Sequence, residues 1–245
     1  MKYNDTENCV DMFDKEMRGL SLLEESSTFR IPKRRKLLSD EKNSFLVMEY
    51  IEPIASPAKT DWERAGEILA TLHIKTVPLN GLAYDNYIGT LVQHNLHTAN
   101  WISFFINQRL VPLANMALES NLLEVKYIKL LERLYQKIPL LLSDSEPSLL
   151  HGDLWSGNIF FDNEKKPVLI DPAVYYGNRE IELAFTKLFG GFNQSFYDAY
   201  QATNPLEPGY EERFKLYQLY PLLVHLNLFG KTYLPGINNI LKHFV

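Results

Sequence analysis

Apolar side chains recur with a helical period over much of this chain, interrupted by a few short runs suited to strands. Residues 11–26 bring Phe13, Met17, Leu20 and Leu23 close to one face, which predicts an amphipathic helix. Residues 45–51 are apolar enough for a strand, and Glu52-Pro53 with Pro57 predicts a connector after it. Thr60 followed three residues later by Glu63 predicts a capping box, opening a helix whose face is Trp62, Ala65, Leu69 and Leu72. His73 on that helix is expected to be a satisfied core histidine. Residues 78–89 read as loop. Trp101, Phe104 and Phe105 predict an aromatic core face on a helix ending near Leu110, and residues 122–137 predict a helix facing inward through Val125, Ile128, Leu131 and Leu134. Residues 159–161 and 168–170 are apolar and flank a polar turn, Asp162 to Pro167, so they predict a hairpin. Three helices are expected downstream: 180–188, closed by Gly190-Gly191, then 193–201, then 210–229, which Pro221 should kink or split. Tyr217, Tyr220, His225 and Asn227 on the last are expected in the core before any substrate wall.

Composition narrows the function classes. The chain has 245 residues, 46% of them apolar, enough for one large domain or two lobes with a core. A net charge of −5 argues against a nucleic-acid partner. Cys9 is the only cysteine, which excludes an internal disulfide and a cysteine zinc cluster. The first residues lack the apolar core of a signal peptide, and no apolar run approaches a membrane span, so a cytoplasmic protein with no membrane partner is expected. Lys33-Arg34-Arg35-Lys36 is basic, but a solvated loop or strand edge is the expectation over a polyanion patch.

The chemistry concentrates in His151-Gly152-Asp153-Leu154-Trp155-Ser156-Gly157-Asn158 and in Asp171 after the predicted hairpin. Phosphoryl transfer needs a carboxylate at the acceptor hydroxyl, which Asp153 can provide. It also needs oxygen ligands for a Mg²⁺ ion that bridges phosphates, which Asn158 and Asp171 can provide. A hairpin returns the chain to its start and so would bring Asp171 beside Asn158. The order Asp, Asn, strand, turn, strand, Asp matches a kinase catalytic loop and its metal aspartate. In such a site a lysine pairs with a helix glutamate over the ATP phosphates, and Lys2 with Glu16 could form that pair. Backbone groups of Glu49, Tyr50 and Ile51 would then meet adenine. The segment after Asp171 is short, and Gly152 stands where a protein kinase has an arginine, so a small-molecule kinase without loop phosphorylation is favoured. A competing reading makes His151, Asp153 and Asp171 the ligands of a metal-dependent hydrolase that does not need ATP.

These residues resemble the fructosamine (ketoamine) kinase family, within the aminoglycoside phosphotransferase and choline kinase group. The likeness runs through the 151–158 loop, Asp171-Pro172-Ala173-Val174-Tyr175-Tyr176-Gly177, Asp85-Asn86-Tyr87-Ile88-Gly89, Phe189-Gly190-Gly191-Phe192 and Leu216-Tyr217-Gln218-Leu219-Tyr220. It implies an α+β, protein kinase-like two-lobed fold: a partial N-terminal lobe and hinge over 1–52 and a mainly helical C-terminal lobe over 53–245. It also implies transfer from ATP to the sugar 3-hydroxyl of a ketoamine, the step that leads to protein deglycation. Carried over by position, Asp153 is the catalytic base, Asn158 and Asp171 hold Mg²⁺, and Lys2 with Glu16 binds phosphates. Trp155 offers a face to the sugar or its amine. No glycine-rich loop or further strands precede Lys2, so the alternative is a truncated, weakly active or inactive relic that only binds ligand.

Overall fold

Strand β1 (Lys2–Asn4), helix α1 (Cys9–Ser26) and strands β2 (Lys36–Ser39) and β3 (Ser44–Val47) open the chain. The computed structural model describes residues 1–4, 9–40 and 43–245. The three strands form one antiparallel sheet in the order β1-β3-β2, with Lys2 opposite Leu46. Strand β3 ends at Val47, earlier than the expected 45–51. From Glu49 onward the chain is tied to the segment before β2, the Glu49 N–H donating to the Lys33 carbonyl at 2.8 Å. Helix α1 buries Phe13, Leu20 and Leu23, the stripe that the helical period predicts. Cys9 is buried and its Sγ lies 3.1 Å from Ser44 Oγ.

Helix α2 (Lys59–Ile74) starts before Thr60, which corrects the expected capping box. The carboxylate of Asp61 accepts the Ala58 N–H at 2.7 Å, so the reciprocal half of the cap comes from Asp61 and Thr60 lies inside the first turn. The 78–89 segment is likewise more than loop. Strands β4 (Asn86–Ile88) and β5 (Leu91–Gln93) pair as a tight hairpin turning at Gly89. Helix α3 (Trp101–Phe104) runs through a wider π turn (Phe105–Leu110) into α4 (Val111–Glu119), so the helix does not stop at Leu110. Pro112 explains the widening. It has no N–H for the Gln108 carbonyl, which takes Arg109 Nη1 instead at 3.2 Å, while the Val111 N–H reaches back to Ile106. Helix α5 (Val125–Leu141) points Leu131, Leu134 and Ile138 inward. Val125, expected on that face, is exposed at the first turn.

Strand β6 (Ser148–Leu150) precedes the 151–158 loop. Strands β7 (Ile159–Phe161) and β8 (Pro167–Leu169) form the expected hairpin, with Ile159 opposite Leu169, and β9 (Tyr175–Gly177) pairs back with β6. Helices α6 (Arg179–Leu188), α7 (Gln194–Thr203), α8 (Tyr210–Tyr217), α9 (Leu219–Phe229) and α10 (Leu234–Phe244) complete the fold. The break between α8 and α9 at Gln218 follows from Pro221, which offers no N–H to the Tyr217 carbonyl. One hydrophobic cluster runs from Leu20 and Leu23 of α1 through Leu69, Phe104, Leu150 and Leu169 to Leu223 and Leu241. Helix α1 and the helical body therefore share one core, and Leu154, Ile159, Phe161 and Leu169 of the 151–177 segment belong to it. No helix among the described residues is long and apolar enough to cross a membrane.

Candidate active site

The register of the β7–β8 hairpin decides where Asp171 lies. Ile159 faces Leu169, and the next rung is the Ile170 N–H donating to the Asn158 carbonyl at 3.1 Å. Asp171 therefore emerges beside Asn158, as a hairpin requires. Its backbone takes φ +57°, the left-handed region that a residue other than glycine enters at some expense. Asn158 is held by its own loop. Its Nδ2 donates to the Asp153 carbonyl at 2.8 Å and to the Asp153 carboxylate at 3.1 Å, and its N–H donates to the Trp155 carbonyl. With the nitrogen so engaged, Oδ1 remains as the side chain's acceptor without a partner among the described residues.

Lys2 meets the same carboxylate from the other side. Its Nζ lies 2.7 Å from Asp171 and 2.9 Å from both carboxylate oxygens of Glu16. The expected pairing of Lys2 with Glu16 is present, and Asp171 joins it. Burial opposes the Lys2 charge, but the two carboxylates outweigh it and raise the ammonium above its ordinary pKa. Burial pushes Glu16 up, partly offset by Lys2. Burial also pushes Asp153 up to about 7; the nearby Asp171 charge adds to this, and the Asn158 hydrogen bond and Lys2 oppose it. A carboxylate placed near neutrality can hold or release a proton at working pH.

One cavity of about 490 Å³ is lined by Lys2, Glu16, Asp153, Trp155, Asn158 and Asp171 among others. Six of the nine residues singled out in the sequence thus converge. Glu49, Tyr50 and Ile51 do not line this cavity. The Glu49 carboxylate accepts from Arg30 and from the Lys33 N–H, the Tyr50 side chain is 84% exposed, and Ile51 is buried. Trp155 is 38% exposed over the cavity, whereas Trp101 is fully buried and donates to the Tyr217 hydroxyl, which leaves it no part in sugar stacking.

His151 argues against the hydrolase reading. It is fully buried, Nε2 donates to the Ile170 carbonyl at 2.9 Å, and Nδ1 accepts the Asp153 N–H at 3.3 Å. Both nitrogens are used, and burial lowers its pKa, so it is a neutral strut across the two loops. Among the described residues no group of three or more His, Cys, Asp or Glu side chains could hold a metal. The donor set that remains, one amide oxygen and one carboxylate, suits a hard ion that takes its other ligands from phosphate and water, so the residues fit Mg²⁺.

Sequence reasoning missed Glu182. Fully buried on α6, it accepts the Gly152 N–H at 2.9 Å with one oxygen and faces His73 Nε2 at 3.1 Å with the other. His73 is the satisfied core histidine expected, its Nδ1 lying 2.8 Å from the Tyr200 hydroxyl. The available signal was an acidic residue set between the apolar positions Ile181 and Leu183. Gly152 itself has φ +84°, and a Cβ there would lie 2.0 Å from the Ala173 carbonyl oxygen, so at this point the 151–158 loop and the Asp171 loop meet backbone to backbone.

Comparison with known proteins finds relatives along the whole chain. The fructosamine kinase family model matches residues 1–245. A probable ketoamine kinase of Enterococcus faecium is 43% identical over 236 residues, covering 95% of this chain and 82% of that one. A Thermobifida fusca crystal structure described as a candidate fructosamine-3-kinase superposes with a TM-score of 0.86 at 31% identity, covering 98% of this chain and 81% of that one. A choline kinase from Streptococcus pneumoniae, at 15% identity and a TM-score of 0.60, covers 99% of this chain and 84% of that one and shares the fold.

Proposed function

This chain belongs to the fructosamine kinase family, and on that premise we propose how its cleft carries out ATP-dependent phosphorylation of a ketoamine. The fold is α+β and protein kinase-like, with a mainly helical C-terminal lobe, and the enzyme is a ketoamine kinase that uses ATP as phosphoryl donor. The lobe boundary is placed between residues 52 and 53. The acceptor is the 3-hydroxyl of a fructosamine-type adduct, in keeping with the name of the Thermobifida relative. The product is a 3-phosphate whose decomposition frees the amine, which links the reaction to deglycation.

The observation that carries this reading is the convergence of Asp153, Asn158, Asp171, Lys2 and Glu16 on one cavity. Asp153 orients the sugar hydroxyl and accepts its proton as the oxygen attacks the γ-phosphorus and the bond to ADP breaks. Lys2, set by Glu16, neutralises phosphate oxygens. Asn158 and Asp171 hold Mg²⁺, which supplies charge neutralisation to the transferred group. Trp155 presents a ring face to the sugar or the amine that carries it. The Tyr50 and Ile51 backbone, with Glu49 bracing the segment through Arg30, is assigned to adenine. The charged set is complete in the described residues, and this supports an active kinase over the ligand-binding relic.

The test is phosphorylation of a synthetic fructosamine by purified protein with Mg²⁺·ATP, followed by ³¹P NMR. Wild type is expected to form a sugar phosphate and Asp153→Asn is not. Equal, background-level signals from both would defeat the proposal. Trp155→Ala is expected to raise the fructosamine KM about tenfold or more with a smaller change in the ATP KM, consistent with loss of one aromatic contact.

A further inference from the structure

The hairpin β4–β5 carries an arrangement of amides that the reaction as described does not use. Asn86 Nδ2 donates to the Val174 carbonyl at 2.8 Å, and Gln93 Nε2 donates to the Ala173 carbonyl at 3.0 Å. Both donors are locked from behind. Asn86 Oδ1 accepts from Gln93 Nε2 at 2.7 Å and from Asn95 Nδ2 at 2.8 Å, and Gln93 Oε1 accepts the Tyr220 hydroxyl at 2.6 Å. Asn95 Oδ1 accepts Arg109 Nη2 at 2.8 Å. Arg109 is fully buried in the π turn, with its guanidinium 4.0 Å from the centre of the Tyr175 ring and 4.5 Å from that of Phe104. Asn86, Gln93, Asn95, Arg109 and Tyr220 are all buried.

A buried polar array of this size is expensive unless its groups are paired, and packing alone does not call for one. What distinguishes it is where it ends. Ala173 and Val174 follow Asp171 by two and three residues, and Asp171 is held at φ +57°. The Ala173 N–H also donates to the His151 carbonyl at 2.9 Å. The strained aspartate is thus followed at once by a backbone pinned on both edges, and Asn86 itself lines the cavity.

We propose that Asn86 and Gln93 are positioning residues for Asp171: their side-chain amides clamp the Ala173 and Val174 carbonyls, and this holds the Asp171 carboxylate where a divalent cation on a nucleotide can be bound. Tyr220, Asn95 and Arg109 orient the two amides. The proposal rests on the reading of Asp171 as a metal ligand. It assigns a role to the Asp85-Asn86-Tyr87-Ile88-Gly89 motif that the reaction leaves without one.

The test is binding of Mn²⁺ with a non-hydrolysable ATP analogue, read by electron paramagnetic resonance, beside a thermal melt. Asn86→Asp keeps the size and the acceptor oxygen but replaces the donor that faces Val174. The expected result is a loss of Mn²⁺ affinity of about 10- to 100-fold, the range for partners that orient a metal ligand, with a cooperative melt. The double variant Gln93→Leu/Tyr220→Phe removes both members of one buried pair, which favours a stable fold; it is expected to weaken Mn²⁺ binding by about threefold or more. If Asn86→Asp does not fold, the double variant decides alone. Wild-type Mn²⁺ affinity in either folded variant overturns the proposal. If wild type and Asp171→Asn bind Mn²⁺ equally, the metal reading itself fails; if they differ while the clamp variants match wild type, only the clamp does.

Discussion

Two sets of charges meet at Asp171, and they are held in different ways. On one side lie Asp153 and Asn158, in a loop tied to buried groups. The Gly152 N–H is bonded to Glu182, His151 braces Ile170, and the Ala173 carbonyl packs against Gly152. On the other side lies Lys2, in a three-residue strand that among the described residues pairs with β3 alone. Its side chain and that of Asp171 are each about one-third exposed. The Asp153 side gains precision because His151, Gly152 and Glu182 are buried. The Lys2 side relies on ion pairs that water and salt can weaken. The proposed proton-transfer and metal residues should therefore tolerate few substitutions, and the effect of changes at the proposed phosphate-binding pair should be graded.

The sharpest separation is expected from Asp153→Asn, which should lower kcat by about 10²- to 10⁴-fold, the range for loss of a general base. The same change should raise Tm at pH 8. A carboxyl whose pKa is pushed up to about 7 by burial prefers its neutral form in the fold, so its ionisation lowers stability as pH rises from the unfolded value toward 7. Asparagine removes that penalty, and the Tm difference should shrink toward pH 5. A Tm at pH 8 below wild type would show that the Asp153 charge is stabilising. In wild type the same group should give kcat/KM an acid limb at or below about pH 7, and removing it should flatten that limb.

Gly152→Ala should come next. Left-handed strain alone costs about 1–3 kcal/mol, and the added methyl would meet the Ala173 carbonyl oxygen. A lowered Tm together with lost turnover is expected; a neutral outcome would mean that the two loops are not in contact in solution. Lys2→Met should act mainly on the nucleotide, raising the ATP KM by about tenfold, as expected for loss of a charge-assisted contact of ~1.4 kcal/mol. Glu16→Gln should do less, since the Asp171 charge still faces Lys2. The mildest probe is salt. Raising NaCl to 0.5 M should increase the ATP KM more than the fructosamine KM, and equal increases would erase the proposed difference between the two sides.

Much of the site was legible because its parts are local. Asp153 and Asn158 share one loop, and the polar turn between two apolar runs implied a hairpin that returns Asp171 to Asn158. Lys2 and Glu16 were paired only through the kinase layout, since nothing local links a terminal lysine to a helix glutamate. The failures have a common character. Residues 78–89 read as loop because a three-residue strand with Asn at its first position has no clear alternation. The cap of α2 was placed two residues late because Asp61 and Glu63 both suit a capping box. Trp101, Phe104 and Phe105 showed a core helix, but not that Pro112 would widen it rather than end it.

Apolar period, turn composition and the order of acidic and amide residues are properties of neighbours along the chain, and from them came the kinase-like layout and the candidate site residues. The partners of those groups are another matter. Glu182 reaches Gly152 across 30 positions, Asn86 reaches Val174 across 88, and Lys2 reaches Asp171 only after the sheet and the helical body have packed. A buried amide or carboxylate takes whichever donor or acceptor the packed core brings within about 3 Å. That choice is made by the packing of distant segments, and no local pattern of residues encodes it.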